Sequence, residues 1–250
     1  MNEENFYYMS RAEMKSLARD RLKQPGVWLK FALAALIPGL VAVITTYLTM
    51  RATSAIGDTT SLTTYMVNLS QQMQDSYKQD VLSNLILIFF TTGISFTALD
   101  LVRDRAHKVT LGGILLRCFN SRYFWSVLGV DILVYVAVQI GTVFLIIPGI
   151  LLSYGLAMAY FVLYDAREHG DQRDLFNVLA ESYRMMRGHK FDLFVLHLSF
   201  IGWSLLVVVT AGLAYFWVYP YMQLTTAAFY EQVRVQYNKT RVDTQDDGQL

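Results

Sequence analysis

YFWSVLGVDILVYVAVQIGTVFLIIPGILLSYGLAMAYFVLY, residues 123–164, decides the fold. These 42 residues carry one charged side chain, Asp131. At ~1.5 Å per residue, a straight helix of that length would be about twice as long as the ~30 Å hydrocarbon core of a bilayer is thick. The stretch must fold back on itself. Proline removes a backbone donor and glycine supplies a permissive backbone, so Pro148-Gly149 is read as the turn of a hairpin with arms 123–147 and 150–164.

The same reasoning applies on either side. Residues 191–230 form a second apolar run too long for one crossing, with Thr210-Ala211-Gly212 near its centre, so the arms are placed at 191–209 and 213–230. Toward the N-terminus, residues 27–50 contain Lys30 as their only charge before the end, and 81–99 form another apolar segment. The expected fold class is all-α: a polytopic membrane protein of six transmembrane helices in hairpins, in a single domain over 1–240, with a flexible tail at 241–250 that frays beyond Lys239.

Composition agrees. The chain is 54% hydrophobic and 16% charged, against the roughly one-quarter charged residues of a soluble domain. A net charge of +1 argues against a nucleic-acid partner. One cysteine, Cys118, excludes an internal disulfide and a thiolate zinc cluster. Residues 1–26 lack the apolar run of a signal peptide and read as a retained cytoplasmic arm.

Three basic amphipathic stretches precede the pairs of spans. The first begins at Ser10, whose spacing to Glu13 is that of a capping box, with Met9 and Met14 placed as a hydrophobic staple. The second begins at Thr110. The third starts near Asp174, presents Leu175, Leu179, Ser182 and Met186 on one face, and ends at Gly188. All three are expected to lie on the cytoplasmic surface as a weak threefold repeat. Lys and Arg number six up to Lys30, five from Arg103 to Arg122, five from Arg167 to Lys190 and three in the tail, against Arg51 and Lys78 in the polar segment 51–80. That asymmetry predicts both termini in the cytoplasm of a cell membrane and 51–80 outside, as a loop of about 30 residues with room for helical parts.

The segments IIPGILLSYGLAMAYFVLYD, ESYRMMRGHKFDLFVLHLSFIGWSLL and WVYPYMQLTTAAFYEQV, within 144–233, resemble the bacterial integral-membrane family known as domain of unknown function 975. Where that family follows the aspartate with Asn-Pro, this chain has Asp165-Ala166-Arg167-Glu168. A more distant likeness runs to the membrane domain of bacterial glycerophosphodiester phosphodiesterases. Neither resemblance implies an established activity.

Asp131 and His197 stand at similar depth in their spans and are expected to approach each other, as a structural hydrogen bond or, alternatively, as a step on a proton or ion path continued by Gln139. Arg184, Arg187, His189 and Lys190 are the candidates for contact with anionic head groups or a membrane partner. Asp165, Glu168 and His169 can be drawn as an acid-base cluster but read as a solvated face. No nucleotide loop, serine elbow or metal-ligand spacing is present, and neither cofactor nor metal is implied. The expected role is a non-enzymatic accessory, regulatory or scaffold protein; a small transporter or lipid-handling protein with an intramembrane polar site is the alternative.

Overall fold

The computed structural model describes residues 6–54, 62–104, 109–171 and 173–247, and among them it is all-helical with no strand. The helices are α1 (Arg11–Leu22), α2 (Val27–Ser54), α3 (Leu62–Val102), α4 (Leu111–Leu115), α5 (Ser121–Phe144), α6 (Ile146–Leu156), α7 (Ala159–Glu168), α8 (Leu175–Met185), α9 (Lys190–Leu198), α10 (Ile201–Val209) and α11 (Tyr215–Asp247), with a single 3₁₀ turn at Arg117–Phe119. Among the described residues five stretches are long and apolar enough to cross a membrane: Val27–Leu48, Ser83–Val102, Ser121–Thr142, Ile146–Glu168 and Lys190–Val209.

Helix α1 starts as its sequence dictates. The Ser10 hydroxyl accepts from the Glu13 N–H, and the Glu13 carboxylate accepts from the Ser10 N–H at 2.6 Å. Met9 and Met14 are both buried in the common core. The polar segment 51–80 is helical over 51–54 and 62–80, more fully than a loop with helical parts would be. Helix α2 continues to Ser54 and α3 begins at Leu62, so the two long helices run past their apolar halves; residues 55–61 lie outside the described residues. The tail is likewise helical, to Asp247.

The central hairpin exists, but its turn is not at Pro148-Gly149. The chain reverses at Leu145, the one extended residue between α5 and α6 (φ −163, ψ 141). Pro148 sits in the first turn of α6, where its missing N–H leaves one fewer donor without a helical partner. Glycine serves close approach here: a Cβ on Gly149 would meet Thr142 Cα at 2.8 Å. The arms are antiparallel. Gly141 faces Gly149, Asp131 faces Tyr160, and Tyr123 faces Glu168, the partner's number falling as the first rises.

The second hairpin turns where predicted. Ala211 and Gly212 both take positive φ, 49 and 92, and the Gly212 N–H donates to the Val207 carbonyl at 2.8 Å. Helix α11 then runs unbroken through Pro220.

Burial is one-sided along the spans. On α2, Phe31, Ala34 and Ala35 are enclosed, whereas Leu40, Val43, Ile44 and Tyr47 are exposed. On α5 the enclosed positions end at Val130, and Ile132, Tyr135, Val136 and Ile140 face outward. No residue of α10 is buried. The core thus gathers at the charged end of the bundle, around Phe96, Leu99, Met158, Tyr164, Leu224 and Tyr230.

A Gly149→Ala variant should lose about 1–3 kcal/mol through overpacking against the α5 backbone. Gly202→Ala, where the added methyl meets nothing within 4 Å, should be neutral or slightly stabilising. Thermal unfolding of both variants in detergent checks the contrast; equal behaviour would refute the close hairpin packing.

Candidate functional site

The polar chemistry of the bundle collects at its charged end. Helix α3 reaches its last turn at Asp100 and hands the chain to Arg103 just past Val102. Arg103 donates to both Asp165 oxygens, at 2.5 and 2.8 Å, and through Nε to Glu231 at 2.7 Å. The three side chains are 5%, 14% and 4% exposed. Tyr230, itself buried, donates to Asp165 at 2.7 Å, and Arg234 donates to Glu231 at 2.6 Å. One guanidinium therefore joins the end of α3 to α7 and α11. Although burial opposes its charge, Asp165 and Glu231 together raise the Arg103 pKa.

A second pair lies beside it. Arg117 meets Asp100 at 2.6 Å and the Tyr164 hydroxyl at 2.5 Å, and that hydroxyl donates to Asp100 at 2.7 Å. The Tyr164 ring stacks on Phe96, with centroids 4.6 Å apart. Tyr123 donates to Glu168 at 2.5 Å, while Arg122 donates to the Arg167 carbonyl. Between these pairs the Cys118 thiol is buried, and that burial pushes its pKa up to about 12 against the smaller pull of Arg117.

Helix α8 packs against α7, α6 and α5 at this end. It turns Val178, Ser182 and Met185 inward, the positions at three- and four-residue spacing that make its amphipathic face. Ser182 donates to the Gly155 carbonyl at 3.1 Å. The face read from the sequence as a membrane-surface stripe is thus packed on protein. Arg173 reaches over the helix start to Asp171, at 2.5 Å, and to Glu181. Between α7, α8 and α11 remains a cavity of about 260 Å³ bordered by Asp165, His169, Arg173, Glu181 and Arg234.

The predicted site residues are distributed differently from expectation. Asp131 accepts from Tyr160 at 2.9 Å, on the other arm of its own hairpin, rather than meeting His197. His197 lies on α9, which packs against α6, with its ring 6.0 Å from that of Tyr154. Gln139 is exposed. Arg184 and Arg187 are exposed and make no ion pair or hydrogen bond among the described residues. Lys190 instead lies 3.9 Å over the Tyr183 ring, and His189 is 3.4 Å from Asp192. Of the acid-base cluster, Asp165 belongs to the Arg103 network, Glu168 to Tyr123, and His169 Nδ1 lies 2.7 Å from the Asp165 carbonyl oxygen. No group of three or more His, Cys, Asp or Glu among the described residues is placed to hold a metal.

The Arg103 network was missed by sequence reasoning. Its one local signal was that Asp165 and Glu231 each stand at the charged end of an apolar run, where basic residues were expected to predominate.

Residues 136–237 match the model of a family described as a protein of unknown function (DUF975), which supports the resemblance read from the sequence. No curated protein and no solved structure matches the chain.

Replacing Arg103 by Met leaves Asp165 and Glu231 buried without their main partner and should cost about 3–5 kcal/mol. Adding Asp165→Asn and Glu231→Gln in the same chain should restore most of it. Detergent melts of the single and triple variants test this, and a mild single variant would overturn the network's structural role. Cys118 should resist maleimide at pH 7 in the folded protein and react after denaturation in dodecyl sulfate; native labelling would show that this turn opens.

Proposed function

We propose that the protein is a six-span resident of the cytoplasmic membrane, with both termini in the cytoplasm, and that it acts as a non-enzymatic accessory or scaffold whose basic collar holds anionic head groups or an acidic segment of a membrane partner. The sixth crossing in this reading is residues 213–230, the end of the turn together with the apolar first half of α11. One observation carries the proposal: the cations fall into two groups. Arg103, Arg117 and Arg173 each face carboxylates, whereas Arg184 and Arg187 stand exposed and unpaired among the described residues.

Phe176, 71% exposed on the same helix as Arg184, adds an aromatic side chain suited to the head-group boundary. Each basic side chain near an anionic leaflet contributes about 1 kcal/mol. Transport has weaker support, because Asp131 is engaged by Tyr160 of its own hairpin and the His197 ring stands beside that of Tyr154.

In a Cys118→Ser background, Ser70→Cys should label only from outside the cell; labelling only from the cytoplasm would reject the topology. Arg184→Gln with Arg187→Gln should weaken binding to phosphatidylglycerol liposomes by roughly thirtyfold, the equivalent of ~2 kcal/mol. Lys190→Gln should do less, because its ammonium is already placed over Tyr183. Raised salt should reproduce the loss. Undiminished liposome binding by a correctly inserted double variant would remove the basis for the collar.

A further inference from the structure

The 190–209 span breaks where its sequence does not require it. Between Lys190 and Val209 there is no proline, and the one glycine, Gly202, sits past the break. Yet α9 ends at Leu198 and α10 starts at Ile201, with Ser199 at φ −68, ψ −9 and Phe200 at φ −98, ψ 0 between them. Without proline, such interruptions arise at Gly/Ser pairs or where a side chain enters the hydrogen-bond ladder. Here two side chains enter it. The Ser199 hydroxyl donates to the Leu196 carbonyl at 2.5 Å. The Ser199 carbonyl, which in an unbroken helix would take the Trp203 N–H, accepts instead from Lys15 Nζ at 3.2 Å, 184 residues away in sequence. No backbone N–H reaches that carbonyl among the described residues.

Lys15 grips the break at a second point. Its ammonium stands 4.4 Å over the ring of Phe200, which is buried and meets Tyr221 edge-on with centroids 5.3 Å apart. Beyond Phe200, no residue of α10 is buried. Helix α1, which carries Lys15, is itself held from farther off. Gln232 donates to the Met9 carbonyl at 2.8 Å and Gln236 to the Tyr7 carbonyl at 2.7 Å, so the N-terminal arm runs antiparallel to α11. Arg21 meets Asp104 at 2.8 Å, just past α3. Of α1 itself only Met14 and Ala18 are buried, so its docking leans on these polar contacts.

We propose that α1 is a strap that sets the break in the 190–209 span. Docked, its Lys15 occupies the Ser199 carbonyl and keeps the ladder open at Phe200. Released, it frees that carbonyl for the Trp203 N–H, and the ladder closes across 199–203. An unpartnered carbonyl in an apolar span is costly, so the span exchanges one donor for the other and is never left with neither. The position of the N-terminal arm is thereby transmitted to the second hairpin. The inference does not rest on the collar's lipid contact or on the proposed topology.

Gly202-Trp203 is the one Gly-Trp pair in the chain, so glycine labelled with ¹³C at its carbonyl, combined with ¹⁵N-tryptophan, isolates the Trp203 amide in the NMR spectrum of the full chain in phosphatidylcholine nanodiscs. Lys15→Met should move the Trp203 amide proton downfield as it acquires the Ser199 carbonyl. Gln232→Leu with Gln236→Leu leaves Lys15 and the break untouched, and should move the same resonance in the same direction by a smaller amount. Neither variant removes a buried side chain, so both should fold. A Trp203 resonance that stays in place in Lys15→Met would show the break to be intrinsic to the span and overturn the proposal. Movement in Lys15→Met with none in the double variant would reduce Lys15 to a local contact and overturn the strap.

Discussion

Arg103 is the piece on which the bundle depends. Helices in a bilayer gain little from excluding lipid, which is as apolar as their own side chains, so their association rests on close packing and polar contacts. Here the strongest polar contact ties the end of α3 to α7 and α11, elements 62 and 128 residues away in sequence. The interaction is strong because it is dry and hydrogen-bonded on both sides of the guanidinium, and it is vulnerable for the same reason, since removal of either charge strands the other. The tight core beneath it, with Tyr230 on Phe161 and Tyr164 on Phe96, fixes the rings that carry the hydroxyl donors.

The helical hairpins were legible because they follow from one-dimensional facts: length, apolarity and breakers. Thr210-Ala211-Gly212 turned as read, since only the local backbone had to comply. Pro148-Gly149 misled by three residues, because proline is also well placed inside the first turn of a helix and glycine can serve close packing as readily as reversal. The segment 51–80, where helical parts were allowed but not located, was legible only in part for another reason. Polar residues mark solvent exposure, which an extended helix satisfies as well as a loop does.

The site was far less legible. Asp165 and Glu231 look in the sequence like ordinary charges beside a membrane segment, and only the three-dimensional meeting of three chain segments reveals that they enclose Arg103. Depth matching paired Asp131 with His197 by assuming that the rarest polar groups must find each other. The structure satisfies Asp131 more locally, with the hydroxyl of Tyr160 from the returning arm, an amphipathic partner that hydropathy counts as apolar. Helix α8 shows the converse error: an amphipathic period says that one face is buried but not whether lipid or protein buries it.

The two hairpin tips have a consequence beyond packing. Between Thr142 and Ser153 no side chain is polar. The Leu145 N–H is held by the Gly141 carbonyl and the Gly149 N–H by that of Leu145, and proline supplies no N–H to strand. In the other tip the N–H groups from Thr210 to Ala214 are all taken, the last by the Thr210 hydroxyl. The Ile146 and Ile147 N–H groups at the start of α6 are what the first turn leaves to be met, so such turns can end near the hydrocarbon boundary while asking little of water. Antibodies, proteases and impermeant reagents approaching that face would then find no peptide loop to grip at either hairpin. Under the proposed topology, the polar ends of α2 and α3 would then be what that face presents among the described residues.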